Sequence, residues 1–283
     1  MLNLEQNRTY SRTNDTMGNS MNQSSKISIL KREGHKEPLD LEKMHKVVFH
    51  ACENLKNVSA SQVEINSHLS FFDGMTSSEI QETLIKSAAD LITEETPNYQ
   101  YVGGRLINYH LRKMVYNNFD PPHILDIVKK NVKERYYDKN LLEDYTEEEW
   151  EKINKFIDHS RDEDFTYAAM EQFRGKYLVQ NRVTGEIKET PQVAYILISA
   201  TLFSNYPKET RLQWVKDYYD AISKFYISLP TPVMAGVRTP QRQFSSCVLI
   251  ETDDSLDSIN ATTSSIVKYV SQKAGIGIGA GSI

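Results

Sequence analysis

Cysteine is scarce: Cys52 and Cys247 are the only two in 283 residues, and neither sits in a CxxC pair or beside a cluster of histidines. That excludes a disulfide framework and gives no spacing for a zinc site. The two could pair with each other, but in a chain of this size reduced thiols are expected. Long hydrophobic runs are also missing. Val193–Phe203 is interrupted by Ser199 and Thr201 and is too short to span a bilayer, and the N-terminus has no signal-like apolar core. A cytoplasmic protein with no membrane partner is expected. There is no surplus of positive charge: 33 Lys and Arg stand against 38 Asp and Glu, with a net charge of −5 and the basic residues scattered among acidic ones. A phosphate-tracking patch is absent, which argues against nucleic acid as a partner. With 39% hydrophobic and 25% charged residues, the chain can bury a sizeable core and has room for two domains.

Residues 1–25 are polar and rich in Asn, Ser and Thr, with too few large aliphatics to offset the entropy of ordering, so a disordered tail is expected. From Lys26 the text changes. "KISILKREGHKEPLDLEKM" alternates apolar and polar residues through Ile27 and Ile29, turns at Glu33–Gly34 and recovers at Pro38–Leu39, which predicts a short hairpin. Residues Leu41 to Leu55, Ser61 to Ser70, Thr76 to Thr93 and Pro97 to Tyr116 then place apolar residues three and four apart and predict four helices. Ser77, ahead of Glu79 and Glu82, is a suitable start for the third.

A hairpin followed by four helices, carried by "LKREG" (Leu30–Gly34), "LDLEKM" (Leu39–Met44), "DGMTSSEIQETLIKSAADLI" (Asp73–Ile92) and "PNYQYVGGRLINYHLRK" (Pro97–Lys113), resembles the ATP-cone, a regulatory nucleotide-binding domain. Lys31 and Arg32 are expected on a hairpin strand facing the helices, Lys43 on the first helix, and Arg105 and Lys113 on the last. Cations from separate elements converging on one cleft suit a triphosphate. The resemblance implies ATP and dATP as allosteric effectors, with triphosphate contacts from Lys31, Arg32, Lys43 and Lys113, Glu37 and Leu39 near the base, and Ser77, Gln81 and Arg105 within the site. Two positions depart from the family pattern: Gln81 stands where the family has an activity-site histidine, and Tyr109 where Phe is usual. Glutamine can hydrogen-bond but cannot carry charge, so discrimination between ATP and dATP is expected to be weakened.

The middle third reads as helical. Thr146 followed by Glu147–Glu149 is a strong helix start, with Trp150, Ile153, Phe156 and Ile157 forming one stripe. "VAYILISATLF" and "RLQWVKDYYDAISKFYI" predict two more helices, and "KYLVQNRVTGEI" two short extended runs joined at Thr184–Gly185. Taken alone, Cys247, ahead of Val248–Leu249–Ile250, reads as a small hydrophobe in a short buried strand.

Ile227 to Ile278, "ISLPTPVMAGVRTPQRQFSSCVLIETDDSLDSINATTSSIVKYVSQKAGIGI", resembles the large (alpha) subunit of class I ribonucleotide reductase where its helical domain leads into the catalytic α/β barrel. The resemblance covers about Lys26 to Ile278. It implies that Cys247 is one of a redox pair that reduces the ribose 2'-carbon of ribonucleoside diphosphates, the partner cysteine and the radical cysteine lying beyond Ile283. It also implies substrate contacts from Thr231, Ser246, Cys247, Ala274 and Gly275, and effector contacts for substrate choice from Asp254, Ser255 and Leu256, Asp254 being the expected cap of the following helix. No metal is implied in this chain, because the radical metal cofactor belongs to a separate small (beta) subunit. Thioredoxin or glutaredoxin is the implied external reductant, and a large-subunit homodimer the implied assembly. "AGIGIGAG" matches neither a Rossmann nor a P-loop fingerprint by itself.

The expected fold is therefore mainly α with small β-hairpins. It comprises the tail at 1–25, an ATP-cone at 26–117, a helical reductase domain at 118–238, and the first strands and helix of an incomplete α/β barrel at 239–283. The chain stops after "GIGIGAGSI", where "GIGINAGRI" is the commoner text. One or two strands cannot close a barrel. Catalysis is thus expected to need the remainder of the large subunit, whether on this chain or a separate one. The alternative, a non-catalytic nucleotide-sensing regulator, would carry a zinc ribbon in place of "RQFSSC", and none is present.

Overall fold

The computed structural model describes residues 27–241, 244–272 and 274–283. The expected tail, Lys26, and Arg242 and Gln243 of "RQFSSC" lie outside these residues. The hairpin forms as expected. Strands β1 (Ser28–Leu30) and β2 (Lys36–Pro38) pair antiparallel, with Ile29 opposite Glu37. Gly34 takes φ +84° in the turn, a conformation that costs a residue with a Cβ. Lys31 and Arg32 follow β1 in this turn rather than standing on the strand, because pairing ends at Leu30.

Four helices cover the hairpin: α1 (Leu41–Cys52), α2 (Ala60–His68), α3 (Ser77–Asp90) and α4 (Tyr99–Tyr116). Asp40 caps α1 by accepting a hydrogen bond from the Lys43 amide at 2.9 Å. The cap of α3 is Thr76, not Ser77. Its hydroxyl accepts from the Glu79 amide while the Glu79 carboxylate accepts from the Thr76 amide, and this reciprocal pairing starts the helix at Ser77, as expected. Ile29, Val48, Leu84, Val102 and Leu106 meet in the interior.

The helical region continues with α5 (Ile124–Lys133), α6 (Asn140–Asp144), α7 (Glu147–Phe156), a 3-10 turn at His159–Asp164, α8 (Tyr167–Gln172), and a π-turn at Phe173–Tyr177. Then follow α9 (Pro191–Phe203), α10 (Arg211–Ser223) and α11 (Thr231–Gly236). Thr146 and Glu149 form a second reciprocal cap on α7, and Trp150 and Ile153 are buried along its stripe. α9 is apolar around its whole circumference and its first ten residues are all buried, as a central helix requires. Between the π-turn and α9 the expected hairpin reduces to one bridge, Gln180 with Ile187, around Gly185 at φ +74°. Lys176 and Tyr177 belong to the π-turn instead of an extended run.

The cone and the helical region touch closely at Gly104 on α4. A Cβ there would collide with the Phe165 carbonyl oxygen and lie 3.0 Å from the carbonyl carbons of Phe165 and Thr166.

The last unit is β3 (Cys247–Asp253), α12 (Leu256–Ser271) and β4 (Gly275–Ser282), with β3 and β4 parallel and Cys247 opposite Gly275. A parallel pair needs such a crossover helix. Ser255, not Asp254, caps α12, accepting from the Ser258 amide at 3.1 Å.

Candidate functional site

A cleft of about 280 Å³ opens between the hairpin turn, α1, α3 and the C-terminal turn of α4. It brings together Lys31, Arg32, Glu37, Leu39, Lys43, Ser77, Gln81 and Lys113, eight of the nine residues that the ATP-cone resemblance implies. Their placement follows from the local elements. Lys31 and Glu37 face each other across the hairpin, 2.9 Å apart, and this bond holds the Glu37 carboxyl below its ordinary pKa. Arg32 reaches across to donate to the Lys113 carbonyl at 2.6 Å, tying the hairpin turn to the end of α4. Lys113 places its ammonium 4.2 Å from the centre of the Phe119 ring. Such a contact is readily exchanged for an anion, since an exposed cation over a ring is worth about 0.5–1 kcal/mol.

Arg105 is the ninth, and it does not converge on the cleft. It lies two turns before Lys113 on α4, about 12 Å along the axis, and its guanidinium donates to the carbonyls of Ala51, Glu53 and Glu163. There it secures the end of α1 against the helical region.

Several lining residues were not marked by the sequence pattern. His110 is one turn before Lys113 on α4, and that spacing of three is the signal that would have found it. Its side chain is buried, with Nε2 3.4 Å from Ser78 Oγ and 3.5 Å from Glu82 Oε1. Burial holds its pKa below the ordinary value. Asn117 ends α4 at φ 54°, its amide bonded to the Lys113 carbonyl, which turns Phe119 over the cleft. Gln81 Oε1 and His110 Nδ1 are buried without a hydrogen-bond partner among the described residues. Orphaned polar atoms on the wall of a cationic cleft are what a polar, multiply charged ligand would satisfy. The Tyr109 ring lines the same wall, stacked on His50 and edge-on to Phe119.

The residues expected at the second site divide. Ser246, Cys247, Ala274 and Gly275 come together because β3 and β4 pair in register: the Gly275 amide donates to the Ser246 carbonyl at 2.9 Å, and a Cβ on Gly275 would stand 3.3 Å from Cys247 Sγ. Glycine there leaves one face of the sulfur uncrowded. Cys247 is exposed, so the buried-strand expectation fails, and Leu249 beside it is 82% exposed. Two strands give β3 only one neighbour, and nothing among the described residues covers its other edge. Thr231 lies elsewhere, at the start of α11, on a cavity of about 400 Å³ with Lys176, Arg182 and Gln272. Asp254, Ser255 and Leu256 sit exposed at the start of α12. Cys52 is half-buried, and burial pushes its thiol pKa up to about 11.

Fold and cleft define the class: a hairpin-and-four-helix cone with a cationic cleft, joined to a helical domain. Residues 27–114 match the ATP cone domain and residues 163–242 the ribonucleotide reductase all-alpha domain. Over 263 residues, 93% of this chain and 34% of the relative, the sequence is 62% identical to the ribonucleoside-diphosphate reductase subunit alpha of Haemophilus influenzae. It is 61% identical over the same span and the same shares to the ribonucleoside-diphosphate reductase 1 subunit alpha of Escherichia coli. It is 43% identical to the subunit alpha of Enterobacteria phage T4 over 91% of this chain and 34% of that relative. The chain is thus similar to the N-terminal part of ribonucleoside-diphosphate reductase alpha subunits. It spans about a third of the length of these relatives. No helix among the described residues is long and apolar enough to cross a membrane.

Proposed function

We propose that this chain supplies the allosteric domain and one redox cysteine of a ribonucleoside-diphosphate reductase, which makes deoxyribonucleotides for DNA synthesis in the cytoplasm. The observation that carries the reading is the cleft at the hairpin turn, which Lys31, Arg32, Lys43 and Lys113 line together with Gln81, whose Oε1 is buried without a partner among the described residues. The cations would hold the triphosphate of ATP or dATP, and Glu37, Leu39 and the Tyr109 ring would form the walls around the base. Ser77 and Gln81, on the first turns of α3, would face the sugar.

In the reaction, the Cys247 thiol and a second cysteine of the remaining barrel would each give up a proton and one electron. The pair becomes a disulfide while the ribose loses its 2'-hydroxyl as water. Ser246, Ala274 and Gly275 would present backbone and hydroxyl groups to the ribose, Thr231 to the diphosphate, and Asp254, Ser255 and Leu256 would meet the effector that sets substrate choice. The radical that starts the reaction would come from the metal-bearing beta subunit, and thioredoxin or glutaredoxin would restore the dithiol. A homodimer of large subunits is the proposed assembly.

Titration calorimetry of ATP into the chain tests the first part. Saturable binding is expected, weakened at least tenfold by Lys31→Ala with Lys43→Ala, since two charge-assisted contacts are lost. No binding at millimolar ATP would refute it. For the second part, Cys247→Ser in the complete alpha–beta enzyme should abolish multiple turnover and leave ATP binding intact.

A further inference from the structure

Gln81 lines the nucleotide cleft, and its neighbour Glu82 points out of it toward the helical region. The Glu82 carboxylate accepts two hydrogen bonds from Arg174, at 2.7 Å and 3.3 Å, across a separation of 92 residues. Arg174 is gripped from its own helix as well, its Nε and Nη2 donating to Glu171 at 2.9 Å and 2.7 Å. It stands in the π-turn Phe173–Tyr177, closed by the Leu178 amide on the Phe173 carbonyl. Single π-turns of this kind carry an unfavourable backbone geometry and recur at functional sites.

Two residues of that turn lead to the second cavity. Lys176 lines it together with Thr231. The Tyr177 carbonyl accepts from Arg238, which also donates to the Met234 carbonyl of α11 and pairs with the buried Glu189. Thr231 begins α11. Polar contacts joined by the backbone of α3 and of the π-turn therefore run from the cleft wall through Glu82 and Arg174 to α11.

We infer that Arg174 is a positioning residue that transmits occupancy of the nucleotide cleft to the π-turn and α11; this rests on the nucleotide reading of the cleft. On the cleft side the Glu82 carboxylate lies 3.5 Å from His110 Nε2. A triphosphate in the cleft repels this carboxylate toward Arg174, so the bridge tightens when the cleft is filled. Only a ligand that favours one arrangement over the other can shift it, and charge repulsion supplies that preference. Coupling is reciprocal: a carboxylate held by Arg174 repels the triphosphate less, so loss of Arg174 must weaken ATP binding by the same factor that ATP strengthens the bridge.

The test is hydrogen exchange of the chain with and without saturating ATP, beside calorimetry of the same samples. In the parent chain ATP should slow exchange over 167–178 and 231–238. Arg174→Gln and Glu82→Gln should each abolish that protection; Arg174→Gln, which leaves the carboxylate uncompensated, should raise the ATP Kd about two- to fivefold, the scale of a partly exposed ion pair, whereas Glu82→Gln, which removes the repelling charge, should not raise it. Arg174→Lys should restore part of both effects, which separates the charge contact from general loosening of the fold. Protection unchanged in both glutamine variants, with the Kd unchanged in Arg174→Gln, would overturn the coupling while leaving ATP binding intact. No saturable ATP binding by the parent would overturn the nucleotide reading and the coupling together.

Discussion

Gly103 and Gly104 are adjacent on α4, and replacing each by alanine separates helix propensity from the packing of cone on helical region. Alanine in a helix interior is worth about 1 kcal/mol over glycine, and both variants receive that gain. At Gly103 the new methyl meets the Tyr167 side chain at 3.2 Å, which a small rotation of that ring relieves. Gly103→Ala should therefore leave stability within about 1 kcal/mol of the parent. At Gly104 the obstacle is backbone, with the Phe165 carbonyl oxygen in the methyl's place and the Thr166 carbonyl carbon 3.0 Å away, and a peptide cannot rotate aside. Overpacking of this kind costs about 1–3 kcal/mol, and a backbone obstacle belongs at or above the upper end. After the helix gain, Gly104→Ala should lose about 2 kcal/mol, or roughly 5 °C in Tm for a domain of this size. Urea unfolding followed by far-UV circular dichroism gives the total. Trp150 and Trp214 both lie in the helical region, so their emission reports that half separately. A Gly104→Ala chain as stable as the Gly103→Ala chain would refute the close approach of α4 to the segment before α8.

The remaining predictions concern thiols, acid and the cleft. Iodoacetamide at pH 8 should label the exposed Cys247 well before Cys52, whose thiol is pushed up to about 11 by burial; equal rates by mass spectrometry would contradict this. Burial holds His159 down to about 4, so the unfolded chain takes up a proton near pH 6.5 that the folded chain refuses, and the stability contribution is lost as pH falls from about 6.5 to 4. Burial pushes Asp162 up to about 6, so the folded chain keeps a proton that the unfolded chain releases, and stability from this group is lost as pH rises from about 4 to 6. His159→Gln should thus lessen the loss of stability on acidification by about 3 kcal/mol, and Asp162→Asn should deepen it; identical urea midpoints across this range in parent and variants would refute both. Gln81→Ala should raise the Kd of ATP about fivefold through one lost hydrogen bond, while an unchanged Kd for ATP and dATP would mean that the carboxamide does not touch the ligand.

Local chemistry made much of this legible in the sequence. The β1–β2 turn needs a residue that tolerates positive φ, and Gly34 is there. Periodicity marked α1 to α4, α7, α9 and α10, because a helix must bury one stripe or, for α9, its whole surface. Thr146 announced α7 and Ser77 the first residue of α3, while the reciprocal bond to Glu79 makes Thr76 the cap ahead of it. The cleft residues were readable where they sit within a few positions of a turn or cap, as Lys31, Arg32 and Lys43 do.

Tertiary structure decided the rest, because the deciding contacts join residues far apart in the chain. Arg105 and Lys113 look equivalent along one helix, yet carbonyls from α1 and from Glu163 claim Arg105 and leave Lys113 at the cleft. His110 became a wall of the cleft only when α3 packed against α4 and set Glu82 beside it. Contacts between distant segments likewise join Glu82 to Arg174 and, over a separation of 49 residues, Glu189 to Arg238. Cys247 is exposed, with Leu249 and Glu251, because α12 packs on the opposite face of the β3–β4 pair, where Val248, Ile250 and Thr252 lie. That is a property of neighbours in space, which no spacing along the chain records.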